Sequence, residues 1–413
     1  MKRRRAAAGA ALAVALGLLG WWSLRAEPPA SVAGTAALAV PLPRVTAAEA
    51  ADAAIPAAAA ASAASGILGR PLSALGEGER RALHALWQQR LARAQAALDT
   101  YERIARYPHE SRPAEEHADQ LRPFDPIAED RALRLPGGSA TQGVHLRTTQ
   151  ERVFAAGAES SRITLSLQDD AGRLLPLRVT RAVLHEVTLP GRTASTPEFV
   201  MPVNDSGHAG DLVAGDGVLS ALIHPLAQGF ASYSGLLRLE LSLDYAGQPG
   251  YLYFDLVYSP EQAARWLPGV GEAIVDGSLE FSLKAEVLMP GRYVVSARID
   301  DASGKPLAIA MFNGELAAGP RVIRLPVFGK LLRDRQAAFP LRLRDVEAFL
   351  LKPDAFPDRV MLPRLLGLQH SSRSYALTSF PDTAWQSEER ERYLAELGKD
   401  VQEAQRGVAQ TGP

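Results

Sequence analysis

Three aspartates stand out for their spacing. Asp205, Asp211 and Asp216 lie among Gly207, Gly210, Gly215 and Gly217 in the segment Asn204–Ser220. Glycines let a loop turn sharply and expose carbonyls, so the three carboxylates can converge on a hard cation, calcium being the metal that prefers such oxygen donors. The same residue types also cap tight turns by accepting backbone N–H bonds, and that structural role competes with the metal role. Asp205, Asp211 and Asp216 are the chain's candidate metal ligands.

Elsewhere the chemistry is thin. No G-x-S-x-G elbow, Walker A loop, complete G-x-G-x-x-G or H-E-x-x-H occurs. His109, Glu110, Glu115, Glu116, His117 and Asp119 crowd together, but their spacing matches no metal motif, and Pro113 interrupts any helical face. Cysteine is absent, which removes disulfides, thiolate ligands and cysteine nucleophiles. With 45 Lys+Arg against 46 Asp+Glu, no overall basic field exists to hold a nucleic acid. Neither a catalytic residue nor an organic cofactor is assigned.

The acidic loop resembles the D-x-G-x-x-x-D-x-x-x-x-D-G-x-Y-S loop of exported bacterial immunoglobulin-like modules of the choice-of-anchor X type. It is similar also to loops in the sandwich domains of calcium-activated chloride channel regulators. Leu219 stands where those loops carry an aromatic residue. The resemblance covers roughly Gly143 to Tyr258 and implies a β-sandwich displayed outside the cytoplasm, with no particular activity.

The elements that would carry this loop follow from pattern. Residues 143–260 and 270–352 show short alternating or apolar runs bounded by turn residues, such as Arg162–Leu167 before Asp169-Asp170-Ala171-Gly172. Gly247–Gly250 is expected to close a hairpin, and Ile274–Leu288 opens the second series. The fold class expected is mainly β: two immunoglobulin-like antiparallel sandwich modules joined near Ser259–Gly271. Helical crossovers for a parallel sheet are missing.

The N-terminal third is different. Lys2, Arg3, Arg4 and Arg5 precede an uncharged run, Ala6–Leu24, long enough to span a bilayer, and the basic flank places the N-terminus in the cytoplasm. Residues 1–26 are therefore expected to be a transmembrane signal-anchor of the bacterial inner membrane, with the bulk of the chain periplasmic. Secretion after signal cleavage is the alternative. Residues 27–69 are an Ala- and Pro-rich tether, with thirteen alanines in the eighteen positions Ala47–Ala64.

Residues 70–107 carry one amphipathic helix, marked by Leu83, Leu86, Trp87, Leu91, Ala94, Leu98, Tyr101 and Ile104. Its stripe is expected to pack on the following domain or to mediate self-association through 77–106. Residues 108–142 are expected to be a Pro-rich charged connection, and 353–413 an irregular, solvated tail with a short helix. The function expected is a non-catalytic scaffold that contacts an envelope protein partner. The alternative is a cell-wall or carbohydrate-binding or hydrolytic ectodomain.

Overall fold

The structure, a computed structural model, describes residues 75–134, 140–188 and 194–412. The expected membrane span and the tether lie outside the described residues. Among the described residues no helix is long and apolar enough to cross a membrane. By its contacts the chain divides into two units, Met1–Leu86 with Thr411–Pro413, and Trp87–Gln410. In the first, His84 Nδ1 lies 3.1 Å from Thr411 Oγ1. Among the described residues, the second holds all the sheets.

The order of elements is α1 (Glu77–Ile104), β1 (Ser111–Pro113), β2 (Ile127–Arg134), β3 (Ala140–Gln150), β4 (Phe154–Ala156), β5 (Ser161–Asp169), β6 (Leu174–Leu175), β7 (Arg178–Glu186), β8 (Phe199–Val200), β9 (Leu219–Ile223), β10 (Gly235–Tyr245) and β11 (Gln248–Ser259). Then come β12 (Ala264–Val275), β13 (Ser278–Val287), β14 (Gly291–Asp300), β15 (Pro306–Leu316), β16 (Gly319–Val327), α2 (Gly329–Asp334), β17 (Arg342–Leu351), β18 (Arg359–Met361), β19 (Leu365–Ser371) and α3 (Glu388–Thr411). The protein is mainly β and its sheets are antiparallel apart from the short β4–β11 pair.

The first sandwich stacks a sheet ordered β2-β3-β5-β6, with β9 also on β5, against one ordered β4-β11-β10-β7-β8. Period-two alternation builds its core. Leu237, Leu239, Leu241 and Leu243 of β10 all point inward and meet Ile163, Leu165 and Leu167 of β5 from the opposite sheet. The β10–β11 hairpin turns on Ala246-Gly247, both at positive φ, with Tyr245 paired to Gln248, so the turn lies ahead of the expected Gly247–Gly250.

The second sandwich stacks β12-β13-β16 against β1-β15-β14-β17-β18, with β19 also on β17. Phe281, Leu283 and Ile323 face Val295, Ile299 and Leu343 across its core. The run Ile274–Leu288, expected to open the second series, holds the end of β12, the Asp276-Gly277 turn and the whole of β13.

Two stretches expected to be irregular are ordered. The 108–142 connection contains β1, which pairs with β15 of the second sandwich, and β2, an edge of the first. Proline favours an edge position, where a missing N–H costs nothing, and Pro113 sits there on β1. The tail supplies β18, β19 and a 24-residue α3 in place of a short helix.

Nor is α3 merely solvated. Val401 and Ala404 are buried, and within the second unit α1 and α3 run antiparallel, Arg90 pairing with Glu403 at 3.0 Å and Tyr101 packing on Tyr393 at 5.6 Å. Gly407 permits the approach, because a Cβ there would lie 2.1 Å from the Trp87 indole. From Trp87 onward the apolar stripe of α1 is thus met by a helix of the same chain. Its partner was hidden because a charged surface outweighs Leu394, Leu397, Val401 and Ala404 in the pattern of α3.

Candidate functional site

The acidic loop hangs between β8 and β9, closed at its base by a two-way backbone bridge in which Asn204 and Ser220 exchange N–H···O bonds of 3.0 and 2.8 Å. Gly210, at φ 101°, crosses directly above Leu222. A Cβ at that position would lie 2.7 Å from the Leu222 Cβ, so the crossing requires glycine.

The three aspartates do converge. Asp205, Asp211 and Asp216 each place one carboxylate oxygen within 4.8 Å of the others. That separation suits oxygens gathered at 2.3–2.6 Å around one calcium. Their donors, however, come from the loop itself. Asp205 Oδ1 accepts the N–H groups of Gly215 at 2.6 Å and Asp216 at 3.1 Å, while Oδ2 accepts that of Gly217 at 2.9 Å. Asp211 accepts Gly207 N–H at 2.6 Å and the Ser220 hydroxyl at 3.2 Å, and Asp216 accepts Val218 N–H at 2.9 Å. The Gly207 amide, foremost among these bonds, holds the Asp211 carboxyl below its ordinary pKa.

Beside the loop lies a cavity of about 310 Å³, floored by Thr149 and Thr164 and bordered by Leu212, Val213 and Asp216. Leu212 and Val213 are 71% and 56% exposed. The two threonine hydroxyls bond each other at 2.6 Å across β3 and β5. The His109–Asp119 cluster assembles no such focus: His109 pairs with Glu110 at 3.1 Å and Glu115 with Arg335 at 2.5 Å.

Two charged arrangements lay beyond sequence reasoning. Glu272, on β12, is nearly buried, with its side chain 8% exposed. Its carboxylate accepts His370 Nε2, Arg373 N and Nε, and the Tyr375 hydroxyl, all at 2.9 Å. Burial alone would raise its pKa, but the Arg373, His370 and Tyr375 bonds outweigh that and hold it at about 2. Since β12 and β19 belong to opposite sheets, this carboxylate clamps one side of the second sandwich.

The other arrangement joins the sandwiches. Only residues 260–263 separate β11 from β12, and Ala263 is fully buried. Arg359 of β18 lies over the rings of Phe154 and Phe349, 4.8 Å from each, and grips Asp358 by two bonds of 3.0 and 2.8 Å. Phe154 belongs to the first sandwich and Phe349 to the second. Nearby Glu347 is pushed above the ordinary carboxylate range by burial, against the pull of Arg364 and Arg359.

No protein-family model and no curated protein matches the chain. Among solved structures, 55% of the chain is similar to 57% of a DUF4785 family protein from Legionella pneumophila, at 12% identity and a TM-score of 0.37. The match thus spans little more than half of that protein. The Escherichia coli adhesin FdeC is similar over 58% of this chain and 74% of its own, at 15% identity and a TM-score of 0.18. Likenesses this distant carry no argument about function.

Proposed function

We propose that the chain is a non-catalytic scaffold, tethered to the inner membrane through Ala6–Leu24, that presents binding surfaces to an envelope protein partner. The observation that carries this reading is the junction between the sandwiches. A four-residue connection with a buried alanine, and an arginine held between phenylalanines of the two modules, set the modules at a fixed angle. A fixed angle serves presentation of surfaces, whereas independent modules on a flexible string would need a long polar linker.

Both modules read as immunoglobulin-like. In the first, the chain passes from β3, paired in one sheet, to β4, which joins the other alongside the final strand β11. The acidic loop and its resemblance to exported bacterial modules agree with an address outside the cytoplasm. The test is in-cell crosslinking of the full chain followed by purification from membranes. A stoichiometric protein partner is the expected result; recovery of the uncrosslinked chain alone, at native expression, overturns the reading.

One observation favours a cell-wall or carbohydrate-binding role as the second reading. Tyr251 and Tyr253 are 55% and 37% exposed on the outer face of the first sandwich, 6.2 Å apart, and exposed rings of this kind stack on sugars. The Arg238 guanidinium already covers the Tyr253 ring at 4.1 Å, which leaves one ring accessible. Sedimentation with purified peptidoglycan, abolished by Tyr251→Ala, is the result that would put this reading first.

A further inference from the structure

At the foot of α1 lies a groove of about 630 Å³, within the range of roughly 300–1,000 Å³ typical of ligand sites. Its apolar surface comes from Tyr101 and Ile104 in the last turns of α1, from Pro108 and Pro113 on either side of the first residues of β1, and from Trp385 ahead of α3. Ile104 is 58% exposed, although it continues the apolar stripe of its helix. The Tyr101 ring is braced from behind by Tyr393 at 5.6 Å, so this wall is preformed.

The polar groups of the groove are mostly donors. Arg103 makes no ion pair among the described residues, and Arg112 spends only its Nε, on the His109 carbonyl at 3.1 Å. The Trp385 indole N–H has no acceptor among the described residues. Against these, Glu116 is the single carboxylate in the lining. Free donors beside aromatic and branched apolar surface complement a ligand that brings carboxylates and an apolar side chain together.

We propose that this groove docks an acidic peptide segment of a partner protein, one aromatic or branched apolar side chain resting on Ile104 and Trp385 while flanking carboxylates reach Arg103 and Arg112. The inference rests on the scaffold reading and gives its partner a chemistry. A polyanionic glycan fits less well, because Ile104, Pro108 and Pro113 offer nothing to its hydroxyls.

The experiment uses the full chain in uncharged detergent micelles and two fluorescein-labelled synthetic dodecamers. Both carry Phe and Leu at the same positions, with Glu and Asp elsewhere in one and Lys in the other; polygalacturonate serves as competitor. The acidic peptide should bind at least about tenfold more tightly than the basic one. Hydrogen-exchange protection should map to 101–117 and around 385. Arg103→Glu and Ile104→Ser, both at exposed positions, should each weaken binding about tenfold with the melting temperature unchanged.

Equal binding of the two peptides, protection elsewhere, or full displacement by polygalacturonate overturns the proposal. The scaffold reading has a separate fate. If crosslinking recovers a stoichiometric partner equally with wild type and with the Arg103→Glu, Ile104→Ser double variant, the scaffold stands and the groove falls.

Discussion

Asp205 and Glu272 both gather several donors on one carboxylate, yet they differ in where the donors come from. Asp205 takes its three from Gly215, Asp216 and Gly217 of its own loop. Glu272 takes its four from His370, Arg373 and Tyr375, which lie 98 to 103 residues away, His370 on a strand of the opposite sheet and the other two just beyond that strand's end. A carboxylate bonded within its own loop shapes ten or so residues and leaves global stability nearly untouched. One that bridges two sheets holds a domain closed, because its bonds exist only when the sandwich is assembled.

The largest expected effect follows from that difference. The folded pKa of Glu272 is about 2 against an ordinary 4.5. A depressed carboxylate contributes stability that is fully present above pH 4.5 and lost as pH falls toward 2. At neutral pH that shift corresponds to at most about 3 kcal/mol, and solvent screening of the exposed Arg373 brings the expected contribution to about 2–3 kcal/mol. Glu272→Gln keeps the shape, removes the charge and turns one acceptor into a donor facing an arginine. Denaturant unfolding at pH 7 should show a loss of about 2–3 kcal/mol, and the variant should lose less stability than wild type between pH 4.5 and 2. Parallel pH profiles for the two proteins would refute the clamp.

Next comes the junction. Arg359→Ala removes two cation–aromatic contacts and strands Asp358, for an expected loss of about 1–2 kcal/mol. Amide exchange should quicken at 154–156 and 349–351, on both sides of the junction at once. Quickening in one sandwich alone would show that Arg359 packs its own module and does not set the angle between the two.

The comparison also explains what could be read before the structure. Asp205, Asp211 and Asp216 were legible because their partners lie within the loop, so residue types and spacing carried the information. The β10 leucines were legible for the same reason, their alternation being a property of consecutive residues. The clamp was not, since nothing near Glu272 in sequence announces His370 or Tyr375. Strand β1 was missed likewise: Ser111–Pro113 becomes a strand only because β15, far along the chain, offers it an edge. The C-terminal helix was underestimated because Val401, Ala404 and Gly407 form a narrow seam among charged residues, and a seam acquires meaning only from the helix opposite.

A smaller effect separates frame from fold at the acidic loop. In Asp205→Asn one oxygen becomes an amide whose N–H groups face those of Gly215, Asp216 or Gly217. Exchange of those three amides should accelerate about tenfold, while the melting temperature moves by less than about 2 °C. A large fall in melting temperature would place Asp205 with Glu272 as a global clamp and erase the contrast between them.

The smallest effect concerns calcium. The three carboxylates are close enough to share an ion, but each already accepts backbone donors, and the loop's closure needs no charge brought from outside. Millimolar calcium should therefore shift the melting temperature by less than about 1 °C, since a ligand stabilises only as far as its concentration exceeds its dissociation constant. The decisive control is Asp216→Asn, which keeps one oxygen to accept the Val218 N–H, removes one carboxylate charge and leaves the Asp205 frame in place. A calcium-dependent rise in wild type that disappears in Asp216→Asn would show that the loop's hydrogen bonds and a metal site coexist on the same oxygens. Locally bonded carboxylates would then have a second use that the buried clamp, its oxygens enclosed by His370, Arg373 and Tyr375, does not share.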